Sequence, residues 1–442
     1  MTQLDLLADL IARARAAGAD AADALLVSGT SLSAQCRLGK REHVERAEGR
    51  DLGLRVFLGQ RAAIVSATAV DPNGFDALVE RALAMAKVVP EDRYAGLAET
   101  AAPPEAIDLD LVDPTEPDTE ALITRAMAAE DAALSVAGIT NSEGADAGFS
   151  RSEVTLVTSA GFAGHRVRTS HSVSCTALAG SGTEMQRDYD YHATVHLADL
   201  DDPTAIGHSA AERALARMNP TRPKTAAIPV VYDPRVSASL LGHLLGAING
   251  ASVARGSSFL KEKLGQRVFA PGIFVHEDPR RRRGLRSREF DGEGTPTVAR
   301  ALVEDGVLTT WLLDSAAARQ LGMRSTGHAS RGTGGPPAPS ATNVSMAGGT
   351  MSPAELMADI RLGFYVTELI GMGVNGVTGD YSRGASGFMI RDGALAEPVA
   401  EVTIAGSLPQ MFAALVPAND LVLRRGMDAP TIRVDGMTMA GT

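Results

Sequence analysis

Helical and strand-like hydrophobic patterns alternate along the first half of the chain. Residues 4–18 carry apolar side chains at helical spacing and end at Gly18, which predicts a helix. The segments DALLVSGTSLSAQCRLG and REHVERAEGRDLGLRVFLGQRAAIVSAT alternate apolar and polar residues and predict strands. Three more helices and a strand meander are predicted by the same rules: about 73–88, 119–136 and 203–218 for the helices, and 152–182 for the meander.

Two proline-containing segments divide the chain. Residues 90–118 hold five of the 22 prolines and predict a linker or surface meander, and NPTRPK at 219–224 marks a second boundary. The predicted units are an N-terminal α+β subdomain at 1–100, a middle α+β subdomain at 115–220 and a C-terminal β-rich domain at 225–442. The predicted fold class is α+β: an N-terminal α/β region with helices packed on antiparallel sheet, then a mostly antiparallel β domain with glycine turns.

The stretch LLGHLLGAINGASVARGSS at 240–258 predicts a helix followed by a turn, because its leucines recur at helical spacing. Gly242, Gly246 and Gly250 form a second stripe along it. A glycine inside a helix costs about 1 kcal/mol relative to alanine. The stripe therefore predicts a close-packing surface, most simply between this helix and a sheet.

Charge and cysteine content narrow the class of protein. The net charge of −11, from 42 basic and 53 acidic residues, argues against a broad nucleic-acid surface. The two cysteines, Cys36 and Cys175, imply no disulfide framework and favour a reducing cytoplasm. The N-terminal helix carries Asp5 and Asp9, unlike a signal peptide, and no apolar stretch of about 18 residues predicts a membrane span.

Histidines offer little metal chemistry. His192 and His196 have the spacing of a helical metal pair, but their context DYDYHATVHLADL alternates like a strand. Four residues along a strand span about 13 Å, which is too far for one zinc ion to bridge. The other histidines stand apart from one another and lack a cysteine at ligand spacing, which is more typical of structural residues.

An arginine run and a short block near the C-terminus are the remaining candidates. The run DPRRRRGLRSR, which includes 280–288, favours a solvated loop, and a role in gripping an acidic partner or substrate stays open. Asp380, Tyr381, Ser382 and Arg383 include residue types of a serine or acid–base site, but no base is identifiable beside Ser382. The alternative is a structural role, since the neighbouring glycines permit tight packing.

Several sequence blocks occur in a specific order: GLRVFLGQRAAIVSATAVDP (53–72), STGHASR (325–331), GDYSRGASGFMIRDG (379–393), EVTIAG (401–406), PANDL (417–421) and MTMAG (437–441). They resemble the TldD/PmbA family, whose members are also called modulators of DNA gyrase and are bacterial and archaeal peptidase components. The resemblance covers nearly the whole chain.

The resemblance implies a branch without the zinc motif. TldD-type members carry HExxxH on the glycine-containing helix and a third, cysteine ligand near the C-terminus. Aligned on the GSS at the end of this stretch, the motif falls on Leu241, Gly242 and Gly246, and LVLRR rather than a cysteine comes after Asp420. His243 lies two positions off register. The chain therefore resembles the PmbA branch, also called TldE.

This resemblance further implies a subunit without its own zinc, paired with a TldD-type homologue or with itself. The family acts on small or unfolded peptides, and zinc is expected only in the TldD-type partner. Because the block lines the family's active-site region, Asp380, Tyr381, Ser382 and Arg383 are the substrate-binding candidates. Two alternatives stay open: a homodimeric peptide-binding protein without an enzymatic partner, and a hydrolase with an unrecognised site.

Overall fold

The computed structural model describes residues 2–99 and 107–442, so residues 100–106 of the predicted linker lie outside the described part. The predicted helices of the first half are confirmed to within two residues at either end. The elements of this half are α1 (Gln3–Ala16), β1 (Ala21–Arg37), β2 (Lys40–Leu58), β3 (Arg61–Ala67), α2 (Phe75–Val88), α3 (Thr119–Leu134), β4 (Ile139–Thr158), β5 (Ala163–Ala179), β6 (Gln186–Thr194) and α4 (Pro203–Ala216).

One antiparallel sheet runs through both the N-terminal and the middle regions. Its strand order is β3-β2-β1-β4-β5-β6. The central pairing joins β1 to β4, from Asp23 opposite Thr158 to Cys36 opposite Ala145. The two predicted subdomains therefore share a continuous backbone hydrogen-bond network rather than meeting only through side chains.

The two faces of this sheet have different neighbours. Side chains alternate along a strand, so Leu26 of β1 packs with α1 and α2, and Cys36 packs in the same way with α3 and α4. The opposite face contributes Leu25 to a cluster with Phe162 and Phe290. Since Phe290 belongs to the C-terminal domain, the face without helices is the one that contacts that domain.

The linker packs onto the domains at the positions that the structure describes. Asp113 is buried, its backbone N–H donates to Thr169 Oγ1 at 2.8 Å, and its carboxylate accepts the N–H of Leu197 at 2.6 Å. Burial raises the pKa of Asp113, but the N–H groups of Leu197 and Thr115 and the neighbouring His171 outweigh it and lower the pKa to about 2. This carboxylate fastens the end of the linker to the sheet.

The C-terminal domain is mostly β structure. Its elements are β7 (Ala226–Tyr232), α5 (Pro234–Ala247), α6 (Gly250–Ala254), β8 (Val275–Glu277), β9 (Arg300–Glu304), β10 (Val307–Leu308), α7 (Ser315–Gln320), β11 (Ala329–Ser330), β12 (Ala338–Pro339), β13 (Val344–Met346), α8 (Pro353–Met357), β14 (Leu362–Val374), β15 (Asp380–Arg391), β16 (Ala394–Ser407), α9 (Leu408–Ala414), β17 (Val416–Pro417), β18 (Met427–Asp428) and β19 (Ile432–Ala440).

Five strands of this domain close into a barrel. Their order is β16-β15-β14-β7-β19, and β19 pairs again with β16 through Thr403 opposite Ala440. The pairings are antiparallel except for β7 with β14. A second sheet has the order β10-β9-β8-β13-β18, and α5 packs between it and the barrel. The predicted α+β fold class is confirmed, and no described helix is long and apolar enough to cross a bilayer.

The predicted helix at 240–258 is interrupted. Helix α5 ends at Ala247, and Asn249 starts α6 because its side-chain oxygen accepts the N–H groups of Ala251 and Ser252. Gly250 is therefore the first residue of a second helix and does not continue a stripe on α5. An asparagine with helix-capping geometry, rather than a helix-forming side chain, decides this break.

Close packing at the glycines is observed at Gly250 alone. A Cβ atom there would lie 2.3 Å from Leu313 Cδ2. At Gly242 the nearest atom would be Met427 Cε at 3.8 Å, an ordinary contact, and at Gly246 no atom of the described residues lies within 4 Å. The expectation of a close-packing stripe is thus wrong for Gly242 and Gly246 within this chain. At Gly242 the second sheet contributes only the end of a flexible methionine side chain, and Gly246 is exposed.

Candidate functional site

Helix α5 begins at a local sequence signal. Asp233 accepts the N–H of Arg235 at 2.9 Å and caps the helix, and Pro234 occupies its first turn. Strand β7 ends one residue earlier, at Tyr232. From this start the leucines of α5 enter the main core, so the helix is held rigidly between the barrel and the second sheet.

The three positions that the resemblance assigns to a zinc motif do not point the same way. Leu241 is fully buried in the core, Gly242 is half-buried and Gly246 is exposed. An α-helix turns about 100° per residue, so positions five apart differ in direction by about 140°. Side chains at 241 and 246 would therefore diverge on the regular helix seen here.

His243 lies between these positions and contacts Tyr381 of β15. The two rings are edge to face, with centroids 5.7 Å apart. The Nε2 atom of His243 is buried and has no hydrogen-bond partner among the described residues, and the buried hydroxyl of Tyr381 lies near that of Tyr232. Burial and the charge of Arg383 lower the pKa of His243, while burial raises that of Tyr381. Both side chains are therefore neutral at pH 7.

The block at 380–383 is the start of β15, and strand alternation divides it. Tyr381 is buried, whereas Asp380 and Ser382 are exposed on the other side of the strand. The carboxylate of Asp380 accepts a hydrogen bond from Thr378 Oγ1 at 2.6 Å, and Arg383 Nε donates to the Ile370 carbonyl at 3.3 Å. Ser382 thus faces away from His243, the histidine that contacts this strand.

The comparison with known families matches all three regions of the chain. The domains described as PmbA/TldA metallopeptidase domain 1, central domain and C-terminal domain match residues 22–86, 112–218 and 225–441. The chain belongs to the PmbA/TldD metalloprotease family. The resemblance inferred from the sequence blocks is confirmed.

Individual PmbA/TldD relatives match over almost their whole length. Metalloprotease PmbA of Escherichia coli O157:H7 is 36% identical over 425 residues, 96% of this chain and 92% of that protein. The Metalloprotease PmbA homolog of Haemophilus influenzae is 35% identical over 96% and 93% of the two chains. A Bacteroides thetaiotaomicron structure, named as a candidate modulator of DNA gyrase, has a TM-score of 0.90 at 25% identity and covers 99% and 98%. TldE of Thermococcus kodakarensis shares the fold, with a TM-score of 0.87 at 21% identity and coverage of 99% and 100%.

The residues at the PmbA/TldD zinc-motif positions do not fit a zinc ion. Leu241 offers hydrocarbon, and Gly242 and Gly246 offer no side chain. Both carboxylate oxygens of Asp420 are engaged by Thr431, at 2.9 Å from its N–H and 2.7 Å from its hydroxyl. Across residues 2–99 and 107–442, no group of three or more His, Cys, Asp or Glu side chains is placed to hold a metal.

The structure also reveals a buried chain of groups in the STGHASR block. Thr326 Oγ1 lies 2.7 Å from His328 Nδ1, and His328 Nε2 lies 2.5 Å from Glu277 Oε2. This order resembles a hydroxyl–imidazole–carboxylate triad. However, Thr326 Oγ1 accepts the N–H of Leu313 at 2.7 Å, and Glu277 accepts two hydrogen bonds from Thr342. His328 therefore fits a structural role, and no spacing signal in the sequence indicated its pairing with Glu277.

His192, His196 and part of the arginine run have interaction partners within the chain. His192 Nδ1 accepts the N–H of Asp201 at 3.1 Å, whereas His196 Nε2 lies 3.0 Å from the Asp110 carbonyl, so the two histidines have separate partners. Within the run, Arg283 pairs with Asp110 and Asp199. Part of the run therefore ties the C-terminal domain to the middle region and the linker.

Proposed function

We propose that this chain is the subunit without zinc in a two-component metallopeptidase that acts on small or unfolded peptides. A TldD-type homologue would supply the zinc ion, the glutamate base and the attacking water. The observation that carries the proposal is the occupancy of the motif positions by Leu241, Gly242 and Gly246 in a chain that otherwise matches the family from end to end.

Exposed apolar side chains on the C-terminal domain support pairing through that domain. Ile370 is 58% exposed, Met372 87% and Val377 56%, all in or near the connection between β14 and β15. The Phe259 N–H donates to the Gly376 carbonyl at 3.0 Å, which places this connection beside the segment that comes after α6. Large apolar groups at this exposure are typical of interaction surfaces when they cluster. We assign this surface to the TldD-type partner, or to a second copy when the chain is alone.

Peptide contact is assigned to the exposed start of β15. Asp380 and Ser382 present polar side chains outward. Because β15 is already paired with β14 and β16, a peptide would meet these side chains rather than the strand's backbone. Tyr381 and Arg383 would act from the opposite side, by shaping the strand rather than by touching the peptide.

The test is co-purification with an HExxxH homologue from the same genome, followed by peptidase assays of each chain alone and together. We expect a stable complex and chelator-sensitive cleavage only when the homologue is present. Light scattering gives the mass in each sample, with a dimer expected in both. A monomer in both samples at micromolar concentration would contradict the partner-subunit proposal.

A matched pair of substitutions tests the surface. Met372→Asp and Val88→Asp each place a charge on a highly exposed apolar residue, 87% and 82% exposed, but Val88 lies on α2, in the other half of the chain. We expect Met372→Asp to weaken the complex and Val88→Asp to leave it unchanged, with both chains folded by circular dichroism. Equal affinity of the two variants would contradict pairing through the β14–β15 connection.

A further inference from the structure

An arginine-lined cavity lies between the large sheet and the C-terminal domain. Its volume is about 460 Å³, within the usual range for small-molecule sites. Four arginines line it: Arg166 and Arg168 from β5, and Arg286 and Arg288 from the end of the arginine run. The cavity opens on the sheet face that no helix covers, so residues more than a hundred positions apart in sequence meet there.

Neutral groups are the hydrogen-bond partners of these guanidinium groups. Arg166 donates to the Phe290 carbonyl at 3.1 Å and Arg288 to the Ser340 carbonyl at 3.2 Å. Arg168 donates to the carbonyls of Leu285 and Ser287. None of the four forms an ion pair with a described carboxylate within 4.0 Å, in contrast to Arg283 of the same run: its pairs are with Asp110 and Asp199.

Positive charge is therefore concentrated without a paired anion. Burial and the charges of Arg288 and Arg168 lower the pKa of Arg166 to about 10. Glu289 and Asp291 attract Arg166 from beyond ion-pair distance and only partly offset this. The repulsion stands out in a chain whose net charge is −11.

Buried guanidinium N–H groups without a hydrogen-bond partner also favour a negatively charged ligand in this cavity. The Nε–H groups of Arg168 and Arg288 are buried and have no hydrogen-bond partner among the described residues. A buried donor without a partner is costly, and a guanidinium is shaped to bind a carboxylate or phosphate with two parallel hydrogen bonds. Hydroxyl groups complete the polar lining, from Ser152, Ser330, Ser340 and Thr342.

We propose that this cavity is a binding site for a small oxyanion, a ligand that carries phosphate or several carboxylate groups. The anion would neutralise the clustered guanidinium groups and accept the unused N–H donors. Its hydrocarbon portion would contact Leu111, Val154 and Ala341 on the cavity wall. The proposal does not depend on peptidase pairing, since every lining residue belongs to this chain.

Calorimetric titration of the purified chain with three probes tests the site: inorganic phosphate, pyrophosphate and tricarballylate, at one ionic strength held with sodium chloride. We expect saturable binding of at least one probe. Tighter binding of pyrophosphate than tricarballylate would assign a phosphoryl ligand, and the reverse a polycarboxylate. Constant ionic strength separates a site from general screening.

Substitutions of single arginines distinguish binding in the cavity from unspecific attraction to positive charge on the surface. Arg286 is exposed and its side chain makes no hydrogen bond to a described residue, so Arg286→Gln is expected to fold, and it should weaken binding about tenfold or more. Arg168→Lys keeps the charge but loses the planar fork and should also weaken binding. Arg41→Gln removes an exposed charge on the distant β1–β2 hairpin and should leave affinity unchanged. Absence of saturable binding by all three probes, or unchanged affinity in Arg286→Gln and Arg168→Lys, would overturn the proposal.

Discussion

Alanine substitution at the glycines of α5 and α6 separates helix propensity from close packing. Gly242 lies inside α5, and a Cβ atom there would meet only Met427 Cε at 3.8 Å. Gly242→Ala should therefore recover most of the helix-propensity cost of glycine, about 0.5–1 kcal/mol. Gly250→Ala should do the opposite, because its Cβ would lie 2.3 Å from Leu313 Cδ2 and 2.7 Å from the Leu312 carbonyl oxygen.

The expected shifts are large enough to measure. Overpacking costs about 1–3 kcal/mol, and 1 kcal/mol changes the melting temperature of a domain of 150–250 residues by about 2–4 °C. Gly242→Ala should thus melt about 1–4 °C higher than the natural chain, and Gly250→Ala several degrees lower. Gly246→Ala is a companion with open space above it, and its gain should be smaller because it lies in the last turn of α5.

Differential scanning calorimetry of the three variants, with light scattering on the same samples, provides the measurement. The reasoning would be refuted if Gly242→Ala lowered the melting temperature as much as Gly250→Ala did. If Gly246→Leu leaves the melting temperature of the lone chain unchanged but weakens the complex with a TldD-type homologue, then the partner covers the open side of α5.

Three further predictions concern metal and pH. The purified chain should contain no stoichiometric zinc, and one zinc ion per chain that survives dialysis would contradict this. The triple variant Leu241→His, Gly242→Glu, Gly246→His should gain no chelator-sensitive peptidase activity, because the third ligand is still missing: no cysteine comes after Asp420. It should also lose stability, since a polar ring replaces a buried leucine. Asp113 has a pKa lowered to about 2, below about 3.9 in the unfolded chain. Its stabilisation of roughly 2–3 kcal/mol is therefore present above about pH 4 and lost as the pH falls through about 2. In urea unfolding, the difference in unfolding free energy between the natural chain and Asp113→Asn should therefore shrink from pH 7 to pH 3. A difference that stays constant over this range would contradict the prediction.

Local sequence patterns were sufficient to predict the four helices of the first half and to identify the family. The amphipathic repeat of Thr119–Leu134 is complete within its own residues, so its bounds follow from spacing and from the Asp118 cap. The residues at the zinc-motif positions could be identified for the same reason, because Leu241, Gly242 and Gly246 are assigned by aligning the neighbouring sequence blocks alone. The solvent exposure of Gly246 could not be predicted from the sequence, because it depends on which distant elements pack against α5.

Tertiary packing decided the features that join distant segments. Pairing of β1 with β4 merges two predicted units, and it depends on register between strands more than a hundred residues apart. The same holds for the cavity, where Arg166 and Arg288 meet although each segment by itself is an ordinary strand or a charged loop. Periodicity is a property of neighbours along the chain, whereas burial, side-chain direction and unpaired charge arise only when separate surfaces are brought together. The sequence by itself therefore determined the helices of the first half, the family and the residues at the zinc-motif positions. The tertiary structure alone decided which side of α5 is open and where the arginines converge.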